Sequence, residues 1–317
     1  MSLNRLRLIV QHLSFFVLTY GGYFRISLGN SVPCLSCPFI ASCSGRCYLM
    51  IYQRGLSNLF GPLVYASGGF EGWDLVWDNF KNFLVGFSLF VLLVVVLGKS
   101  WCGWVCPFGV VQDWLGRLRR LFKVRESEIG PLTKKRLSTV KYVVLAYVSF
   151  FPLMVGLGWV PREFSLAWCR ICPAKVLMPL FVGDFAALSM DSGTLIMTAF
   201  SLTILGLAAL TLVGSFLKDR LFCLFCPMLA FINLFQRWQL LRLVKVPRSC
   251  LGCGSCRSGC AMDNDASYRE KSPKETRLYA PDCLGCFKCA ASCSSEGGLN
   301  ARLGPITLFS SNRKKSL

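Results

Sequence analysis

Long apolar blocks separated by short polar ones dominate this chain. Residues 80–98, "FKNFLVGFSLFVLLVVVLG", carry a single charge at Lys81 and are long enough to cross a bilayer core of roughly 30 Å. Similar blocks run from the N-terminus to Phe24, over about 140–160 and over about 194–216. The pattern predicts four spans with both termini on the cytoplasmic side. A signal peptide competes for the first block, but no small-residue cleavage pattern follows it, so it reads as a retained span with Arg5 and Arg7 inside. Two shorter stretches read differently. Residues 176–190 contain Pro179 and Asp184 and suit an interfacial or re-entrant segment. "CPFGVVQDWLGRLRRLFK" puts Val110, Val111, Trp114, Leu115, Leu118 and Leu121 on one helical face and basic residues on the other, which predicts a helix in the inner interface.

Composition agrees with a membrane protein that has a soluble portion. Hydrophobic residues make up 54% of the 317 and charged ones 16%, against roughly 25% charged in soluble domains. The net charge of +19 does not mark a nucleic-acid binder. Arg117, Arg119, Arg120, Lys123, Arg125, Lys134, Lys135 and Arg136 crowd one segment between two apolar blocks, as the positive-inside rule expects of a cytoplasmic loop.

The eighteen cysteines change the picture most. "CLSCP" at 34–38, "CGWVCP" at 102–107, "CRICP" at 169–173 and "CLFCP" at 223–227 are one unit used four times, each following an apolar block. By the topology they alternate outside and inside, which suggests an inverted repeat. Each unit supplies half of a four-thiolate site. Cys102 and Cys106 would join Cys223 and Cys226 on the inner face, while Cys34 and Cys37 would join Cys169 and Cys172 outside. Cys43 and Cys47 are alternative outer ligands, able to close a site with Cys34 and Cys37 and leave Cys169 and Cys172 spare. The proline suits a helix start, where amide dipoles favour an anionic cluster. Disulfides belong to small domains without a core, although a spare outer pair is open to one. Chance cysteines at helix ends and tetrahedral zinc are the other competing readings.

After Pro247 the apolar blocks stop, and "CLGCGSCRSGC" and "CLGCFKCAASC" appear. Both have the C-x2-C-x2-C-x3-C spacing of two-cluster ferredoxins, in which the fourth cysteine crosses to the other cluster. This assigns Cys250, Cys253, Cys256 and Cys293 to one 4Fe-4S cluster and Cys283, Cys286, Cys289 and Cys260 to a second, and it tilts the membrane sites from zinc to iron. The expected fold is mostly α: a polytopic helical membrane domain over 1–246, a cytoplasmic α+β ferredoxin-like domain over 247–302, and a basic tail over 303–317. Four clusters at about −2 each would lower the net charge to about +11.

Together, "WCGWVCPFGVVQDWL", "WCRICP", "FCLFCPMLAFINLF" and the paired ferredoxin motifs resemble the NapH, NosR and CcoG group of membrane-bound polyferredoxins, over about residues 80–293. The resemblance implies electron relay across or along the cell membrane, often between a quinol and a partner protein, or reductive support of metalloenzyme assembly. The chain has no room for the flavin-bearing domain of NosR-type proteins, and "CPFIASCSGRCYLM" departs from the group's pattern.

The expected function is thus an iron-sulfur electron-transfer subunit of a membrane oxidoreductase complex, with lipid, redox subunits and quinone as partners. An assembly factor that reduces a metal through Cys43 and Cys47 is the alternative, and a redox sensor would need an output domain that is not visible. His12 is the sole histidine, so bis-histidine haem is not expected. It could touch a quinone or simply pack. No nucleophile paired with histidine, phosphate loop or dinucleotide fingerprint is present.

Overall fold

The computed structural model describes residues 3–33, 35–36, 43–59, 71–188, 194–263, 274–278 and 280–311. Cys34 and Cys37 lie outside them, as does the end of the basic tail.

Three helices are long and apolar enough to cross a membrane among the described residues: α3 (Glu71–Leu97), α5 (Pro131–Gly156) and α8 (Leu195–Leu217). Each buries one stripe and leaves the rest apolar and open. In α3, Phe90 and Val94 are fully buried while Leu84, Val85 and Leu92 face outward, the division a lipid-facing helix needs. Four spans were expected; the first block instead forms α1 (Leu3–Tyr20), which is not among these three. Its Arg7 and Gln11 are buried against protein, so α1 owes its place to polar contacts that a hydropathy pattern does not register.

Shorter helices fill the bundle. α2 (Tyr48–Leu59) packs between α3 and α5. Tyr48 stacks on Phe90 with ring centroids 4.0 Å apart. The amphipathic helix appears as α4 (Pro107–Leu121), and the stretch 176–190 begins in the short α7 (Ala174–Leu180), which follows α6 (Ala167–Ile171). α9 (Pro227–Leu234) packs on α5.

The C-terminal unit is a four-stranded antiparallel sheet in the order β4-β3-β5-β6. Its strands are β3 (Leu241–Lys245), β4 (Thr276–Arg277), β5 (Leu299–Leu303) and β6 (Ile306–Ser310), with one-turn helices α10 (Ser255–Ser258) and α11 (Lys288–Ala291). The sheet therefore starts before residue 247 and takes in part of the segment expected as a tail. A smaller parallel pair, β1 (Gly29–Val32) and β2 (Gly45–Cys47), sets Val32 beside Cys47.

This unit is tied to the end of the bundle. Lys141 of α5, fully buried, reaches Asp282 at 2.6 Å and the Pro281 carbonyl at 3.1 Å. Lys134 donates to the Met262 and Asp263 carbonyls at 2.7 and 2.8 Å, and Lys218 pairs with Asp263. Lys134 of the basic segment, with Lys141 and Lys218 beyond it, thus meets the chain's own ferredoxin-like unit.

Candidate iron-sulfur sites

Different local turns present the paired cysteines similarly. In the C-x3-C unit, a wide turn over 101–105, closed by Cys106 N–H donating to the Trp101 carbonyl at 2.9 Å, absorbs the extra residue. In the C-x2-C unit, a tight 3-10 turn over 221–224 does the same work. Both end at a proline that opens a helix, Pro107 in α4 and Pro227 in α9. The first helical amides then point back at the thiols: Phe108 and Gly109 N–H at Cys106, Met228 and Leu229 N–H at Cys226. These donors would favour a thiolate over a thiol.

The structure brings these two distant units to one cavity, lined by Cys102, Cys106, Cys223 and Cys226 with Leu35, Phe222 and Leu284. Burial pushes the Cys102 thiol well up, and the neighbouring thiols of Cys106, Cys226 and Cys223 add to it. A positively charged iron core bound here would offset that burial and stabilise the thiolates.

A buried polar clamp supports the floor. Both Asp113 oxygens are taken: Arg220 binds them from two nitrogens at 2.8 and 2.7 Å, and Arg7 and Gln11 each donate to one at 2.9 Å. Arg220 also donates to the Cys102 carbonyl at 2.9 Å, and Gln11 to the Gly103 carbonyl at 3.0 Å. Arg220 sits in the left-handed region at φ 59°, a conformation worth roughly 1–2 kcal/mol of strain that its bidentate partner holds. Gln112 adds a second layer, accepting from Ser215 Oγ and Phe222 N–H, both at 3.2 Å.

Cys169 and Cys172 are buried in the bundle. Cys172 and Cys47 belong to the same apolar core as Cys102, Cys223 and Cys226, with Cys43 and Cys106 packed against it. Burial pushes the Cys47 thiol well up, and the thiols of Cys169 and then Cys226 push it further. Gln53, fully buried, donates to Cys169 Sγ at 3.4 Å and accepts the Trp168 N–H at 2.9 Å. Cys47 thus lies near both Cys169 and Cys226, the latter lining the first cavity.

In the ferredoxin-like unit, Cys260, Cys283, Cys286 and Cys289 line one cavity, with Lys99 in its wall. Cys289 sits near Cys283, Cys286, Cys260 and also Cys256. Cys250 and Cys253 are exposed, Cys256 is half-buried and Cys293 buried. Hydrogen bonds from Ser255 and Ser294 bring the Cys253 thiol down to about 7.

Leu284, between Cys283 and Cys286, lines both this cavity and the one in the bundle. Two glycines make that seam possible. A Cβ on Gly103 would lie 2.7 Å from the Leu284 carbonyl and 2.8 Å from Cys286 Cα. Gly285, at φ 62°, would meet Ser100 N at 2.7 Å. Among the described residues no three Cys, His, Asp or Glu side chains converge enough to clasp a single ion.

A family model described as a 4Fe-4S binding domain matches residues 82–125 and again 200–247, the two segments that carry Cys102 with Cys106 and Cys223 with Cys226. The chain is 27% identical over 180 residues to the ferredoxin-type protein NapH of Haemophilus influenzae, covering 56% of this chain and 53% of that protein. It is 26% identical over 212 residues to the methylamine utilization ferredoxin-type protein MauN of Methylobacillus flagellatus, covering 64% and 61%. Against the regulatory protein NosR of Pseudomonas aeruginosa it is 30% identical over 102 residues, covering 31% and 14%. The chain is a polyferredoxin of the NapH/NosR type. It spans between half and two thirds of the length of NapH and MauN. No solved structure matches it.

In this polyferredoxin His12 is a packed side chain. Its Nδ1 donates to the Leu8 carbonyl at 2.6 Å and its Nε2 accepts from Trp114 Nε1 at 3.1 Å, so neither ring nitrogen is open to a quinone. The clamp residues Asp113, Arg220, Gln112 and Gln53 escape motif reading. Their signal is chemical: each is a polar residue within a few positions of a paired cysteine or its helix.

Proposed function

We propose that this polyferredoxin is a membrane-embedded electron-transfer subunit with four 4Fe-4S sites arranged as one continuous line. Cys250, Cys253, Cys256 and Cys293 hold the entry site, and Cys260, Cys283, Cys286 and Cys289 hold the next. Cys102, Cys106, Cys223 and Cys226 hold the third, and Cys43, Cys47, Cys169 and Cys172 the fourth. When bound, the clusters supply one-electron chemistry. The chain's residues supply spacing, burial and a dry path.

The observation that carries this reading is the wall shared at Leu284, because a single side chain separates a ferredoxin-like cavity from a bundle cavity. Exposed Cys250 and Cys253 provide a surface where a soluble redox partner exchanges electrons. The basic segment 117–136 favours a cytoplasmic position for this end. An acceptor in or at the membrane takes the electron from the buried end. Closed bonding at His12 favours a protein acceptor over a quinone bound there. The assembly-factor alternative needs a thiol that exchanges metal with another molecule, and burial of Cys47 to 7% exposure weighs against it.

Low-temperature EPR during reductive titration tests the line of sites. Bundle and ferredoxin signals are expected to broaden one another, and Cys102→Ser/Cys223→Ser is expected to sharpen the ferredoxin signals. Ferredoxin signals indifferent to those substitutions would contradict the reading.

A further inference from the structure

A cavity of about 160 Å³ opens between α1, α4 and α11, lined by Asn4, Arg7, Asp113, Arg117, Arg120 and Lys288 among others. It is far larger than the roughly 10–15 Å³ that one water needs. Three separate elements deliver its cations: Arg7 from α1, Arg117 and Arg120 from α4, and Lys288 from the ferredoxin-like unit. Asp113 pairs with Arg7 and shares its two oxygens with Arg220 and Gln11, and it forms no hydrogen bond to Arg117 or Lys288. Arg120 is matched by Asp219 at 3.0 Å. Arg117 and Lys288 form no hydrogen bond or ion pair among the described residues. The cleft therefore holds two basic side chains without an ion pair, Arg117 and Lys288, with room for a ligand.

We infer that this cleft binds a phosphate-bearing anion. Guanidinium groups present parallel N–H donors that match phosphate oxygens, and an ammonium adds a point charge. Its setting brings two sources within reach. Leu6, Ile9, Leu13 and Phe16 of α1 and Leu118, Leu121 and Phe122 at the end of α4 are exposed and apolar, so acyl chains of an anionic lipid can lie beside the cleft while the headgroup enters it. The same donors would take free phosphate from solution.

The test uses the full chain, purified anaerobically in detergent. Phosphatidylglycerol binding is measured by native mass spectrometry, with phosphatidylcholine as the uncharged comparator, and inorganic phosphate by thermal shift. Arg117→Gln/Lys288→Gln is expected to weaken the anion about thirtyfold, from roughly 1 kcal/mol per basic group removed, with iron content unchanged. Arg125→Gln, outside the cleft, is expected to leave binding intact. Selective loss of phosphatidylglycerol identifies the headgroup as the source, and selective loss of phosphate stabilisation identifies the soluble ion. Binding of neither probe, equal binding by the double variant, or equal weakening by Arg125→Gln would overturn the inference.

Discussion

The ferredoxin-like unit and the bundle core both gather cysteines, but they do so by opposite means. In the first, all eight assigned thiols come from two compact runs, residues 250–260 and 283–293, whose one-turn helices and glycine turns set the geometry locally. In the second, thiols from residues 102, 106, 223 and 226 meet across the fold. There a clamp from three distant segments, Arg7, Asp113 and Arg220, fixes the floor. Local spacing can specify a site alone; a site assembled across a membrane bundle depends on buried polar groups that themselves bind no metal.

The largest expected effect follows from removing the clamp's centre. Asp113→Ala leaves two buried guanidiniums without their carboxylate, a loss of about 3–5 kcal/mol. Iron in the bundle is expected to fall while the ferredoxin signals persist, as read by iron analysis and EPR on the same sample. Equal loss from both regions would erase the distinction drawn between them.

Next comes the seam. Gly103→Val forces side-chain atoms into the space held by Leu284 and Cys286, an overpacking cost of about 1–3 kcal/mol. The expected outcome in stopped-flow reduction is a slowed bundle phase beside an unchanged ferredoxin phase. Unaltered kinetics with full iron content would break the proposed line.

Gln53→Leu removes the acceptor of the buried Trp168 N–H and costs about 1–3 kcal/mol. It is expected to change the signal assigned to Cys47 and Cys169 more than that of the neighbouring site. Smallest of all is Lys81→Met, which deletes an exposed pair with Asp78 at 3.5 Å. Thermal unfolding is expected to register less than about 0.5 kcal/mol.

Much of this was legible in the sequence where physics acts over short distances. The ferredoxin spacing, the prolines opening α4 and α9, and the apolar faces of α3, α5 and α8 all rest on neighbours in the chain. The polar contacts of α1 were not legible, because its Arg7 and Gln11 are matched by residues about a hundred positions away. The partners of Lys134 and Lys141 were hidden for the same reason, because they lie in the C-terminal unit more than a hundred positions away. Burial of Cys169 and Cys172 likewise depends on how short helices enter the bundle, which hydropathy does not encode.

Iron and acid-labile sulfide per chain, determined on anaerobically purified full-length protein, test the central claim most directly. The account predicts about 16 of each, four for every cubane site, with Cys106→Ser/Cys226→Ser lowering both to about 12. A value of about 8, unchanged by that double substitution, would mean that the bundle thiols hold no cluster and that the continuous line is wrong.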